Sequence, residues 1–88
     1  MNKTVQKQLE FVTNSLDYPR YGYMTLSRCE MDCKFYLGHG NRHDAHLYMG
    51  NPKDHIAFMK ALWEKLDEKP EWLTFQQIEE FERQMIGD

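Results

Sequence analysis

Val5, Leu9, Val12 and Leu16 recur at steps of four, three and four. This is one stripe of an α-helix and predicts a first helix over about Asn2 to Leu16. Phe11 lies off that stripe and is free to face a partner or a second layer. Asp17-Tyr18-Pro19-Arg20-Tyr21-Gly22 reads as a break, because proline lacks an amide hydrogen and glycine permits turn geometry. A second helix is predicted from about Met24 to Leu37, with Leu26, Cys29, Cys33 and Tyr36 or Leu37 on one face and Ser27 or Thr25 as its cap. Gly38 is placed to end it.

The run from His39 to Gly50 is a Gly/His-rich loop, and its Leu47-Tyr48-Met49 piece leaves room for a short extended segment. Asn51-Pro52 then opens a third helix. The asparagine caps free amides, and a proline at the first helical position gives up a donor that had no partner there. Ile56, Met59, Trp63 and Leu66 form its predicted core stripe, with Ala57 and Ala61 allowing close approach on another side. Lys69-Pro70-Glu71-Trp72-Leu73 connects to a fourth helix. Its start is marked by a Thr74–Gln77 capping box and by Leu73 and Ile78 at the flanking hydrophobic-staple positions. Phe75, Ile78, Phe81 and Met85 continue down one face. The expected fold is all-α, about four helices in one small domain over residues 1–88.

Composition agrees with a folded domain. Of the 88 residues, 41% are hydrophobic and 14% aromatic, enough large side chains to build a core. A net charge of −3 points to no particular class of partner. Its distribution is uneven: seven Lys or Arg against five acids from Met1 to Lys53, then eight acids against three bases from Glu64 to Asp88. Glu79, Glu80 and Glu82 dominate that acidic end, which reads as a solvated helix face or as a contact for a basic site on another protein. The start of the chain has no apolar h-region, no C-terminal lipidation box is present, and no stretch has the length of a membrane span, so the expected compartment is the cytoplasm with no membrane partner.

Cys29 and Cys33, followed by His39, His43 and His46, are the residue types zinc prefers. The cysteines, however, lie one helical turn apart on the apolar stripe, where a free cysteine acts as a small hydrophobe, so no metal or other cofactor is assigned. That parallel arrangement also suits a disulfide poorly. A zinc-stabilised structural domain stays as an alternative. A Cys33–His46 pair with Asp32 or Asp44 would supply nucleophile, base and orienting group, but nothing marks an oxyanion hole, and an enzyme is not expected. Gly38-x-Gly40 follows a helix rather than a strand and lacks the lysine of a phosphate loop. The loop is nonetheless dense in polar side chains and glycine, and Asn41, Arg42, His43 and His46, with Tyr48 as aromatic anchor, form the candidate binding surface. His46 is also placed to tuck against the core and brace the loop. A protein partner is favoured; nucleic acid is the alternative, with Lys3, Lys7, Arg20 and Arg28 as a weak basic face.

Asp32-Cys33-Lys34-Phe35-Tyr36-Leu37-Gly38-His39-Gly40-Asn41-Arg42, followed by His46-Leu47-Tyr48-Met49-Gly50, resembles the eleventh of the large polyvalent protein-associated domains. The likeness continues through His55-Ile56, Met59-Lys60 and Leu62-Trp63 to Pro70-Glu71-Trp72-Leu73-Thr74, covering about residues 26–86. The family pattern tends to an acidic residue where Lys34 stands and a Trp where Tyr48 stands. The resemblance implies an accessory protein of bacterial plasmids, phages or integrative elements, a family found both as short stand-alone proteins and as pieces of very large ones. It implies no catalytic residues, and its setting makes counter-defence an expected use, with the acidic end meeting a basic host protein such as a defence nuclease.

Overall fold

Asn2 caps the first helix, its side-chain oxygen accepting from the Val5 amide at 2.9 Å. The computed structural model describes residues 2–87. Its helices are α1 (Lys3–Thr13), α2 (Arg20–Leu37), α3 (Pro52–Lys65) and α4 (Phe75–Ile86), with a single 3₁₀ turn at Asp44–His46. No strand occurs among the described residues. The protein is all-α, and the Leu47-Tyr48-Met49 piece is bend and turn rather than strand.

α1 ends at Thr13, one turn before the predicted end. The Asn14 amide closes on the Glu10 carbonyl and the Ser15 amide on the Val12 carbonyl, after which the Ser15 hydroxyl accepts from the Asp17 amide at 3.2 Å. Such local side-chain bonds compete with helix continuation. Leu16, expected on the core stripe, is therefore fully exposed, while Val5, Leu9 and Val12 are buried.

α2 starts four residues earlier than the apolar spacing suggested. Asp17 and Pro19 already supply carbonyls to the Tyr21 and Tyr23 amides, so the proline opens this helix rather than ending the previous one. Thr25 and Ser27 consequently lie inside the helix, and its start has no side-chain cap. Gly22 serves close approach rather than a turn: a Cβ there would meet Tyr18 Cε1 at 2.9 Å and Leu66 Cδ2 at 3.2 Å.

The two chemically marked starts occur where expected. Asn51 accepts from the Asp54 amide with Pro52 in the first turn, and both halves of the Thr74–Gln77 box are present, at 3.1 and 2.8 Å. Leu73 and Ile78, the staple pair, are both fully buried.

α3 is the central element, touching α1, α2 and α4. Contact on several sides buries more of it than one stripe. His55, Phe58 and Leu62 join Ile56, Met59 and Leu66 in the core, whereas Trp63, like Leu37 and Phe81, is only half-buried at its edge. The Trp63 indole nitrogen donates to the Leu73 carbonyl at 2.9 Å, tying the α3–α4 connector down. A Cα radius of gyration of 12.2 Å equals the roughly 12 Å expected of a single domain of this length.

Candidate interaction surface

Gly38 closes α2 by donating to the Lys34 and Phe35 carbonyls, with φ −106° rather than a left-handed value. The left-handed residues come later, at Asn41 (φ 52°) and Arg42 (φ 58°). Two consecutive non-glycine residues in that region carry backbone strain. It is held by short-range bonds: the Gly40 amide to the Phe35 carbonyl at 2.6 Å and the Arg42 amide to the Tyr36 carbonyl at 3.0 Å.

The loop side chains divide into two groups. Arg42 reaches across to the end of α4, donating from Nη1 to the Gln84 carbonyl at 3.0 Å, and its guanidinium lies 6.0 Å from the Tyr36 ring centre. His46 sets its ring perpendicular to Phe35 at 4.8 Å, and His43 stands 6.1 Å from His46. His46 thus braces the loop against α2 while staying exposed with Asn41, Arg42 and His43.

Tyr48 turns inward instead of standing out as an aromatic anchor. It stacks on Phe58 at 5.7 Å, lies beneath the Arg28 guanidinium at 5.3 Å, and accepts a hydrogen bond from the Gln8 amide. One side chain therefore ties α1, α2 and α3 together. Its burial, with Tyr21 nearby, pushes its hydroxyl pKa up.

On α4, Glu82 accepts from Lys60 of α3 at 2.7 Å. Glu80 pairs with Arg83 and accepts from the Gln84 amide at 2.6 Å, and these hydrogen bonds hold its carboxyl below the usual range. Two of the three carboxylates singled out in the sequence thus meet cations of their own chain. Glu79 is exposed beside them.

Cys29 and Cys33 are fully buried on the core face of α2, with the Cys33 sulfur 3.6 Å from the Met59 sulfur. Burial pushes both thiols up, Cys33 to about 12, which disfavours the thiolate that a metal or an electrophile requires. Among the described residues, no three His, Cys, Asp or Glu side chains converge as a metal would need.

Sequence periodicity missed a feature on the other side of α2. Met24, Met31 and Phe35, at steps of seven and four, all face outward and are 44–64% exposed. Arg20, Arg28 and Lys34 flank them. The spacing was legible, but the helix already had a complete core stripe, so these three were not set apart. An open cleft of about 550 Å³ lies between α1 and the start of α2, with Phe11 and Tyr21, one helical turn before Met24, among its lining. Those two rings meet edge to face at 6.4 Å. Phe11, left without a role by the α1 stripe, is thus an exposed wall of this cleft.

The family model of large polyvalent protein-associated domain 11 matches residues 19–85, from one residue before α2 almost to the end of α4. The chain belongs to that family. No curated protein and no solved structure matches it. In this domain, the matched region holds the loop, all of α2 and both buried cysteines, whereas α1 lies outside it. No described helix is long and apolar enough to cross a membrane.

Proposed function

We propose that this domain is a non-catalytic protein-interaction module of a bacterial mobile element, working in the cytoplasm, and that it binds through the outer face of α2. One observation carries the reading. Met24, Met31 and Phe35 project from the longest helix although Leu26, Cys29, Cys33 and Tyr36 complete the core on its other side. A small domain leaves such side chains in water at a cost in solubility, and a linear run of them on one face marks a protein contact better than scattered ones do. The protonated, enclosed thiols support a binding role over a nucleophilic one.

The test is cross-linking in cells that carry the element, using wild type, a Met24→Glu/Met31→Glu variant and a Glu79→Gln/Glu80→Gln/Glu82→Gln variant. Loss of the cross-linked partner only in the α2 variant supports the reading. Loss only in the glutamine variant moves the surface to α4. A nucleic-acid accessory role draws on Arg20, Arg28 and Lys34 of the same face, but the apolar line of Met24, Met31 and Phe35 between them offers a phosphate backbone nothing to pair with. Steeply salt-dependent retention on DNA or RNA would favour that second reading.

A further inference from the structure

We propose that the occupant of the α2 face is an amphipathic helix with acidic flanks, lying along Met24, Met31 and Phe35; this rests on the interaction reading above and adds the chemistry of the partner. Charge placement gives the sign. Arg28 is paired with Asp32 and Lys34 with Glu30, yet the side chains are not equally presented: 64% of Arg28 and 66% of Lys34 are exposed, against 18% of Asp32 and 15% of Glu30. Arg20 is 75% exposed, but so is 56% of its partner Asp17, so that end of the stripe is mixed in sign. Arg28 and Lys34 thus stand at the rim of the apolar stripe with their carboxylates tucked toward the body. A partner therefore meets apolar side chains bordered by positive charge. Carboxylates on its own flanks complement that rim, steering its approach and setting its orientation.

Shape gives the secondary structure. Met24 to Phe35 is about 17 Å along the axis, the reach of roughly three helical turns. Residues at i, i+3, i+4 and i+7 of a second helix match that length as a line of knobs. Two of the three central side chains are methionines, unbranched and polarisable, which repack around a facing helix with little strain. The cleft beside Phe11 and Tyr21 offers room for one larger side chain at the end of the run. A second copy of this chain fits less well, because packing the face on itself brings Arg28 and Lys34 against the same two cations.

The probe is a synthetic 20-residue helix with Leu at its core positions and Glu on both flanks, compared with the same helix carrying Lys on the flanks. Methionine-methyl and amide NMR spectra of the full chain are followed during titration. The expected result is shifts confined to Met24, Met31, Phe35 and their neighbours with the acidic helix. Binding should be at least tenfold weaker for the basic helix, for an Arg28→Glu/Lys34→Glu variant and at raised salt. Arg28 also lies over Tyr48, so a Lys34→Glu single variant, which spares that contact, is titrated beside the double one, and an unchanged amide spectrum outside α2 shows that each folds.

Failure of both peptides to shift Met24 and Met31, equal binding of both, or perturbation centred on α4 overturns the proposal. Sedimentation showing a dimer through these methyls, or stronger binding to vesicles of anionic phospholipid than to the acidic helix, does so as well. A cellular partner that still cross-links to α2 after such a result leaves the interaction reading standing and removes only the acidic helix. A partner that maps elsewhere removes both.

Discussion

The Lys69 ammonium lies 4.9 Å from the centre of the Trp63 ring and also donates to the Trp63 carbonyl at 3.0 Å. Its other bonds go to the Glu64 and Leu66 carbonyls at 2.8 and 2.7 Å. A helix leaves its last carbonyls without partners, and a lysine folding back from the following segment satisfies three of them here while placing positive charge at the negative end of α3. The indole, fixed by its own bond to Leu73, gives the cation an aromatic face. Lys69→Met keeps the aliphatic stem and removes these bonds. It should cost about 1–2 kcal/mol of stability, read by urea denaturation as a lower midpoint with an unchanged slope.

The capping box at Thr74 is the cleanest local test. Thr74→Ala removes the acceptor for the Gln77 amide and should cost about 1 kcal/mol, whereas Thr74→Ser should keep most of it. Thermal unfolding of the three proteins checks the order.

Gly40 cannot carry a side chain. A Cβ there would sit 2.8 Å from the Phe35 carbonyl oxygen, a backbone atom at the end of α2 that has little freedom to give way. Gly40→Ala should destabilise by about 1–3 kcal/mol, despite the gain in chain stiffness that alanine brings to the unfolded state. Amide exchange should show the loss concentrated between Gly38 and Gly50.

His55 should make the fold acid-sensitive. Its Nε2 donates to the Cys29 carbonyl at 3.0 Å, which leaves Nδ1 as a buried acceptor without a partner. Burial lowers its pKa from 6.5, with the Cys29 bond and Asp32 opposing. The unfolded chain therefore binds the proton first as pH falls. Stability is full above about pH 6.5 and declines as pH drops from there toward the depressed folded value. His55→Leu should be less stable at neutral pH through the lost hydrogen bond, but should show a flatter profile between pH 7 and 5. Denaturation midpoints across that range decide it.

Tyr48 and Arg42 separate scaffold from surface within the loop. Tyr48→Ala removes the stack on Phe58 and the seat of Arg28, and should lower the melting temperature by many degrees. Arg42→Gly removes the Gln84 tie but relieves a left-handed residue, so its net effect on melting should be small. A larger drop for Arg42→Gly than for Tyr48→Ala would contradict the division drawn above.

The sequence by itself determined the helix count, the starts of α3 and α4 and the end of α2. Asn51, Thr74 and Gly38 act through hydrogen bonds to residues only three or four positions away, so the chemistry is written locally. Leu26, Cys29, Cys33, Met59 and Ile78 were legible as core for the same reason: periodicity records which face of a helix is apolar. The breadth of burial was not legible, because His55, Phe58 and Leu62 are enclosed by helices distant in the chain. Nor was the inward turn of Tyr48, which depends on Gln8 forty residues away, or the tie from Arg42 to Gln84. Only the tertiary structure decided that Leu16 is surplus to the core and that Met24, Met31 and Phe35 are left facing water. A helix can carry two apolar stripes, and which one is covered depends on where its neighbours pack, since the core buries the face that other helices reach and leaves the other for a partner.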